Sequence, residues 1–209
     1  GGTKTVSVSP TTFSKLAVSL TSPQTNGTAF TGTNTLTAQD AYGNTVAFNA
    51  STNNVTVSTS LTGSISGLSG TNKLTSSGDF VNGVANLTSA LTFTGTSGTG
   101  TFTFSPVTGT AVTSSNVTIG SGTATKLVVT GTGTQTAGGS QTVTVTAQDA
   151  SGNTATTYTG AKSITFSGAL ASPSPATTPT VAATNFGTAT SLTFTAGVAT
   201  GSMILYKAE

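Results

Sequence analysis

The sequence contains the stretch Thr37-Ala38-Gln39-Asp40-Ala41-Tyr42-Gly43-Asn44-Thr45 and repeats it, almost unchanged, as Thr146-Ala147-Gln148-Asp149-Ala150-Ser151-Gly152-Asn153-Thr154. In each copy, alternating residues run into Asp-x-x-Gly-Asn, which predicts a strand followed by a tight turn. An Asp side chain caps such a turn, and Gly and Asn tolerate the left-handed backbone that it needs. The two copies lie 109 residues apart. This spacing predicts two consecutive β-sandwich domains.

The composition restricts the partners of the chain. Its 209 residues are enough for two ordinary domains, and 34% of them are apolar. Only 5% are charged, the net charge is +2, and all six basic residues are Lys. So few positive charges form no phosphate-binding stripe, and we therefore predict no nucleic-acid partner.

The absence of Cys and the first residues of the sequence indicate how the protein is processed and where it is located. There is no Cys, so neither disulfides nor thiol chemistry are available. The sequence begins with Gly1-Gly2 and shows no charged or apolar signal segment, so we expect a mature form or a fragment. No apolar run is long enough for a membrane span. A Thr- and Ser-rich β protein without Cys fits an exported prokaryotic surface protein.

Short alternating runs between turn signals predict an all-β chain, because no segment keeps a helical period. Residues 46–48 are predicted to form a short strand. The dipeptide Asn82-Gly83 predicts a two-residue β-hairpin turn. Residues 61–79 are rich in Gly and Ser and predict a long, loosely patterned excursion.

The repeat also predicts the domain boundaries. Val6 and Val8 align with Val117 and Ile119 at an offset of 111 residues, the offset that aligns Lys15 with Lys126. The second unit lacks counterparts of the last strands of the first. We therefore predict a terminal strand of a preceding domain, or a donor strand, at residues 1–10, a first sandwich at 11–120, a linker at 121–125, and a second sandwich, without its final strands, at 126–209.

A strand that ends in Thr-Ala-Gln-Asp-Ala-x-Gly-Asn, followed downstream by Gly-Val-Ala and a short apolar strand, resembles bacterial Ig-like domains of the invasin/intimin type. The matching residues are Asp40, Gly43, Asn44, Gly83, Val84 and Ala85, and then Asp149, Gly152, Asn153, Gly197, Val198 and Ala199. The resemblance implies two tandem Ig-like Greek-key β-sandwiches, as found in surface-layer, filament and adhesin-stalk proteins. It also implies that the motif residues build turns and no catalytic site. The long excursions at 61–79 and 167–190 depart from the family pattern.

Residue types suited to catalysis are scarce. There is no His or Cys, and the acids are Asp40, Asp79, Asp149 and Glu209. General acid–base catalysis usually needs two titratable groups in one pocket, whereas Asp40 and Asp149 occupy equivalent places in different domains. We therefore predict that the chain is not an enzyme, with no catalytic residues and no cofactor.

Metal binding is also not expected. Zinc prefers His and Cys ligands. Calcium takes oxygen ligands, which leaves Asp40 with Asn44, or Asp79 with Asn82, as an alternative. One carboxylate per position favours turn capping, and we predict no metal ligand.

Two surface features leave alternatives open. Five Asn-x-Ser/Thr sequons occur, which suggests a glycoprotein; they lie at Asn26, Asn49, Asn54, Asn86 and Asn116. Thr-x-Thr runs, such as residues 142–146, either form a hydroxyl array for ice or polysaccharide or are exposed strand faces, for which Thr is well suited.

The unmatched ends also have two interpretations. A sandwich without its last strands exposes a sheet edge. Either the sequence is part of a longer tandem array, or copies polymerise head to tail, with Val6 and Val8 of one copy entering the edge near residues 203–206 of another.

The function we predict is that of a structural repeat of a prokaryotic cell-surface assembly, namely a surface layer, sheath or filament. Its location is extracellular and its main partners are other copies of itself. The alternative is the stalk or binding module of a surface adhesin that recognises host, matrix or glycan.

Overall fold

The computed structural model describes residues 3–208, in which every regular element is a β-strand. The all-β prediction is confirmed. None of these residues belongs to a helix that could cross a membrane. The chain divides into two compact units, Gly1–Gly120 and Ser121–Glu209, which we call unit 1 and unit 2.

Unit 1 contains twelve strands among its described residues. They are β1 (Lys15–Ser19), β2 (Gln24–Thr25), β3 (Thr35–Gln39), β4 (Val55–Thr59), β5 (Gly63–Ser66), β6 (Lys73–Leu74), β7 (Val84–Asn86), β8 (Thr92–Gly95), β9 (Gly98–Gly100), β10 (Phe102–Pro106), β11 (Val112–Thr113) and β12 (Val117–Gly120). They form sheets with the strand orders β1-β3-β7, β11-β10-β4-β6, β2-β12-β9 and β5-β8.

Alternation fixes which side chains of unit 1 face inward. The antiparallel pairing of β1 with β3 places Leu16 opposite Ala38 and Val18 opposite Leu36. Side chains alternate across a strand, so Leu36 and Ala38 share one face, and both are fully buried. The facing sheet contributes β4 and β10 to the same core cluster. Unit 1 is therefore a sandwich with one shared core.

Aromatic side chains fill much of that core. Phe30, Phe93 and Phe102 are fully buried. The ring of Phe102 meets those of Phe30 and Phe93 edge to face, with centroids 5.4 and 6.1 Å apart. Burying one such side chain is worth about 1.5–3 kcal/mol, so these rings are a large part of what stabilises the unit.

The predicted hairpin at Asn82-Gly83 is confirmed. Val81 and Val84 exchange backbone hydrogen bonds of 2.9 and 3.0 Å across it. The φ angles of Asn82 and Gly83 are 50° and 79°, as a type I′ turn requires. Unit 2 has the same turn at Ala196-Gly197, with φ angles of 47° and 84°.

The predicted strand at residues 46–48 is wrong. Thr45 forms an isolated bridge with Gln39, and the chain then leaves the sheet. Phe48 packs its ring 4.6 Å from both Phe13 and Phe80, so these apolar residues fill the core instead of extending a strand. The excursion at 61–79 carries two short strands, β5 and β6.

Unit 2 contains seven strands among its described residues. They are β13 (Lys126–Thr130), β14 (Ser140–Gln148), β15 (Gly160–Thr165), β16 (Thr180–Val181), β17 (Thr184–Asn185), β18 (Ala189–Phe194) and β19 (Val198–Ile204). They form two sheets, β13-β14-β19-β16-β17 and β15-β18. The core between them consists of Val145, Ala147, Ala155, Leu192, Phe194 and Ala199.

Unit 2 exposes apolar side chains whose counterparts in unit 1 are more deeply buried. Leu16 is 4% exposed, whereas its counterpart Leu127 is 40% exposed. Val129 is 54% exposed, whereas Ile164 and Phe166 are half-buried and pack against the core of unit 2. In residues 121–208 no strand corresponds to β10, which pairs with β4 in unit 1, or to β12. We call Leu127 and Val129, which lie on one side of β13, the open face of unit 2.

The first described residues stand apart from both cores. Residues 3–10 form no strand in this structure, and Val6 and Val8 are 76% and 90% exposed. The terminal or donor strand expected at residues 1–10 therefore stays a prediction. Gly1 and Gly2 lie outside the described residues.

Candidate functional site

The repeated Asp-x-x-Gly-Asn turn is the best-defined polar site of the described chain. In unit 1, β3 ends at Gln39 and is followed by Asp40, which is fully buried. Its Oδ1 accepts the backbone N–H groups of Tyr42 and Asn44 at 3.0 and 2.9 Å. The side-chain amide of Asn44 donates to Oδ2 at 3.0 Å. Asp40 therefore caps the turn, and Gly43 completes it with a φ of 89°.

Asp40 also binds the segment that leads into the unit. The backbone N–H of Thr11 donates to Oδ2 of Asp40 at 2.9 Å, and the Thr11 hydroxyl donates to the same oxygen at 3.3 Å. Thr11 precedes β1, whereas Asp40 follows β3. One carboxylate therefore ties the incoming chain to the turn at the end of β3.

Unit 2 repeats this arrangement. Asp149 is 2% exposed, and its Oδ1 accepts the backbone N–H groups of Ser151 and Asn153, both at 2.9 Å. Its Oδ2 accepts the backbone N–H of Gly122 and the Asn153 side-chain amide, also at 2.9 Å. We call this arrangement the Asp clamp. It consists of Asp40, Thr11, Tyr42 and Asn44 in unit 1, and of Asp149, Gly122, Ser151 and Asn153 in unit 2.

The donors of the clamp favour the ionised carboxylate. The Asn44 side-chain amide and then the Thr11 N–H hold the pKa of Asp40 well below its usual range, with the Asn44 and Tyr42 backbone N–H groups acting in the same direction. Burial acts the other way and is outweighed. Asp40 is therefore negatively charged at neutral pH.

This environment suits a turn cap better than a cation site. Both oxygens of Asp40 face N–H donors, whereas calcium needs carboxylate oxygens that are free to coordinate it. Asp79 accepts the Ser69 hydroxyl at 2.7 Å and the Ser76 N–H at 2.8 Å within its loop. Residues 3–208 contain no group of three His, Cys, Asp or Glu side chains that could hold a metal ion. Glu209 lies outside the described residues.

The Gly-Val-Ala motif lies beside the clamp in each unit. The carbonyl of Gly83 accepts the backbone N–H of Ala38 at 2.8 Å. A Cβ at Gly83 would lie 2.2 Å from the carbonyl oxygen of Val46, and one at Gly197 would lie 2.7 Å from that of Ala155. Only Gly allows the chain that leaves the turn to approach this closely.

The sequons differ in accessibility. Asn26 is 4% exposed, and its side-chain oxygen accepts the Gly95 N–H at 2.8 Å, so it is part of the folded interior. Asn49, Asn86 and Asn116 are exposed, and Asn54 is half-buried.

Sequence reasoning identified the turns but missed the contact with the incoming segment. Thr11 and Gly122 both donate through the backbone N–H. Every residue except Pro has this group, so the residue types at these positions do not reveal the contact. The available signal was the offset of 111 residues, which aligns Thr11 with Gly122.

Comparisons with known proteins do not assign a family. No family model matches the chain, and no curated protein matches it. Among solved structures, the chain is similar to the Escherichia coli adhesin FdeC, with 22% identity and a TM-score of 0.43 over 95% of this chain and 58% of that one. It is also similar to domains 4 and 5 of the S-layer protein SbsC, with 20% identity and a TM-score of 0.30 over 94% of this chain and 88% of that one. The chain thus spans little more than half of the FdeC chain.

Proposed function

We propose that the chain is an extracellular structural repeat of a prokaryotic cell-surface assembly, namely a surface layer, sheath or filament built from tandem Ig-like units. The Asp clamp carries this proposal, because it recurs in both units with the same atoms at nearly the same distances. A buried, ionised carboxylate holds the incoming segment and the turn together. Such a device suits a protein whose task is to keep its shape when it is pulled.

The segment between the two units supports the same role. Gly120 ends β12 and pairs with Thr25 inside unit 1. The next residue, Ser121, accepts the N–H of Thr156 at 3.1 Å, and Gly122 enters the clamp of unit 2. Ser121 and Gly122 are thus hydrogen-bonded within unit 2, so tension on the start of this unit would act on folded structure.

The proposed role includes no catalysis. The sequence has neither His nor Cys, and the carboxylates of Asp40 and Asp149 are occupied by N–H donors. The partners we propose are other copies of the chain, with no nucleic acid and no membrane span in this segment.

One observation favours the alternative, the stalk or binding module of a surface adhesin. Tyr42 is 83% exposed at the tip of the turn of unit 1, and an exposed aromatic side chain is a common contact for a host, matrix or glycan ligand. Solution scattering of the purified protein separates the two roles. Large ordered particles favour the assembly, whereas a monodisperse particle that binds a glycan array through Tyr42 favours the adhesin.

Surface proteolysis tests the proposed location. Intact cells of the source organism are treated briefly with trypsin, and the released peptides are identified by mass spectrometry. We expect peptides that end at Lys126 or Lys162. Their release only after the cells are lysed would contradict the proposal.

Glycosylation of the chain also stays a prediction. We expect glycopeptides that contain the exposed Asn49, Asn86 or Asn116 and none that contains the buried Asn26. Mass spectrometry of peptides from the native protein checks this, and unmodified peptides at all three exposed positions would remove the hypothesis.

A further inference from the structure

The dipeptide Asn-Gly occurs twice in the sequence, as Asn26-Gly27 and as Asn82-Gly83. In such a dipeptide the backbone nitrogen of Gly can attack the side-chain amide of the preceding Asn, because Gly has no Cβ that would hinder the approach. Both pairs lie in unit 1. They therefore show how one folded unit holds the same reactive group in two different environments.

The first pair is fixed by hydrogen bonds within the unit. The Asn26 side chain is buried, and its oxygen accepts the N–H of Gly95 at 2.8 Å. The backbone N–H of Gly27 donates to the carbonyl of Phe93, also at 2.8 Å. The attacking nitrogen and the amide under attack are thus both engaged, and bringing them together would break bonds that hold unit 1 together.

The second pair is free of such bonds. Asn82 is exposed at the tip of its turn, whereas Gly83 is buried behind it. Among residues 3–208, no hydrogen bond is formed by the Asn82 side chain, by the Asn82 carbonyl or by the N–H of Gly83. The peptide group between the two residues is therefore not fixed in its orientation by a hydrogen bond.

The turn can bring the two reacting groups together while the hairpin stays paired. Rotation of the central peptide group converts a type I′ turn into type II′, in which only the first central residue keeps a positive φ. Gly83 accepts a φ of either sign. In the type II′ form ψ of Asn82 is about −120°, which places the nitrogen of Gly83 beside the Asn82 side chain. The hydrogen bonds between Val81 and Val84 do not involve this peptide group, so the rotation leaves them intact.

We propose that Asn82 is a site of spontaneous deamidation in the folded protein and that the fold protects Asn26. The nitrogen of Gly83 forms a bond to Cγ of Asn82, the Cγ–Nδ2 bond breaks, and Nδ2 leaves as ammonia with the proton lost from Gly83. Water then opens the resulting succinimide at one of its two carbonyl carbons. One opening gives aspartate at position 82, and the other gives isoaspartate, in which the main chain runs through the former side chain.

The reaction requires water as its only co-reactant. Water must reach the carbonyl carbons of residue 82, which is exposed, whereas the burial of Gly83 does not hinder an attack within the chain. Because no enzyme is needed, the modified fraction rises with the age of the protein.

The two products should affect unit 1 differently. Aspartate keeps the turn, because Asp-Gly suits a type I′ hairpin as Asn-Gly does. Isoaspartate adds a methylene group to the main chain, and Gly83 already approaches Val46 so closely that a Cβ on it would lie 2.2 Å from the Val46 carbonyl oxygen. The isoaspartate form should therefore be the less stable one. Either product adds one negative charge, which lowers the formal net charge from +2 to +1.

Incubation of the purified protein at mildly alkaline pH, followed by trypsin digestion and mass spectrometry, tests the proposal. Cleavage after Lys places Asn26 in the peptide 16–73 and Asn82 in the peptide 74–126. Fragmentation of the two peptides locates the mass gain of deamidation and distinguishes aspartate from isoaspartate. We expect Asn82 to react at least about ten-fold faster than Asn26, because Asn26 reacts only when the surrounding structure opens.

Two controls separate the effect of the fold from that of the dipeptide. In denaturant the two sites should react at similar rates, because the same dipeptide is then exposed at both. The variant Asn82→Gly removes the reacting amide and keeps a dipeptide that suits a type I′ turn. It should abolish the product at position 82 and leave the rate at Asn26 unchanged.

Three results would overturn the proposal. The first is a rate at Asn26 in the folded protein that equals or exceeds the rate at Asn82. The second is an intact Asn82 in the folded protein while both sites react in denaturant, which would mean that the turn protects its amide. The third is the absence of reaction at both sites in denaturant. None of these results bears on the proposed surface role, because the inference does not use it.

Discussion

The backbone N–H of Thr11 lies 2.9 Å from Oδ2 of Asp40, although 29 residues separate them in sequence. Gly122 and Asp149 make the same contact at 2.9 Å. A motif that looks like a simple turn therefore also fixes the start of each unit. Both units use one carboxylate for both tasks, which makes the aspartates the most informative positions to change.

The Asp149→Ala substitution should destabilise unit 2 by about 2–3 kcal/mol, because it leaves the N–H groups of Gly122, Ser151 and Asn153 without their carboxylate acceptor. Faster hydrogen exchange is expected at Gly122, Ser151 and Asn153, measured by NMR or mass spectrometry. Ser151→Ala is the control, because it keeps the backbone donors and changes only an exposed side chain. Unchanged exchange at Gly122 in Asp149→Ala would contradict the role given to the clamp.

Acid should weaken unit 1 through Asp40. Its folded-state pKa is depressed, so the unfolded chain binds the proton first as the pH falls. The stabilisation is fully present above the unfolded pKa of about 3.9 and is lost as the pH falls through the folded pKa. Calorimetry at decreasing pH should show a smaller loss of stability in Asp40→Asn than in the unchanged chain. Parallel curves below about pH 4 would contradict this assignment.

Two glycines of unit 1 should differ in their tolerance of alanine. Both have positive φ, but a Cβ at Gly43 meets no atom within 4 Å, whereas one at Gly83 lies 2.2 Å from a carbonyl oxygen. Gly43→Ala should cost about 1–2 kcal/mol of backbone strain, and Gly83→Ala should cost more because a clash is added. Denaturant unfolding of the two variants measures the difference, and equal costs would argue against the close approach.

The two type I′ turns permit a reciprocal exchange. Asn82 and Ala196 occupy the same turn position at φ angles of 50° and 47°, and Asn tolerates this conformation better than Ala. Ala196→Asn should raise the melting temperature of unit 2, and Asn82→Ala should lower that of unit 1, each corresponding to about 0.5–1 kcal/mol. If Ala196→Asn is destabilising, the turn in solution differs from this structure.

Because of the open face, the same Leu→Ala substitution should lower the free energy of unfolding by different amounts in the two units. Leu16→Ala removes a side chain from a closed core and should cost about 2–5 kcal/mol. Leu127→Ala removes one that is 40% exposed and should cost less than about 1 kcal/mol in the isolated chain. Chemical denaturation of both variants makes the comparison. Equal costs would mean that Leu127 is covered in solution.

Local patterns made much of this fold predictable. The alternation of residues 35–39, the dipeptide Asn82-Gly83 and the repeated Asp-x-x-Gly-Asn each carry their structure in a few neighbouring residues. The strand predicted at residues 46–48 was wrong because Phe48 packs between Phe13 and Phe80, and this tertiary contact overrides local preference.

The site itself was predictable only in part. Asp40 was recognised as a turn cap because its partners follow it within four residues. Its bond to Thr11 was missed because the donor is a backbone group far away in sequence. The exposure of Leu127 also depends on which strands cover it, and Leu16, in an almost identical local sequence, is buried.

Electron microscopy of cell envelopes, labelled with gold-conjugated antibodies against this chain, tests the central claim most directly. A structural repeat of a surface assembly predicts dense, regular labelling along a layer, sheath or filament on the outside of the cell. Labelling confined to the cell interior, or restricted to sparse single points with no ordered material beneath them, would contradict it.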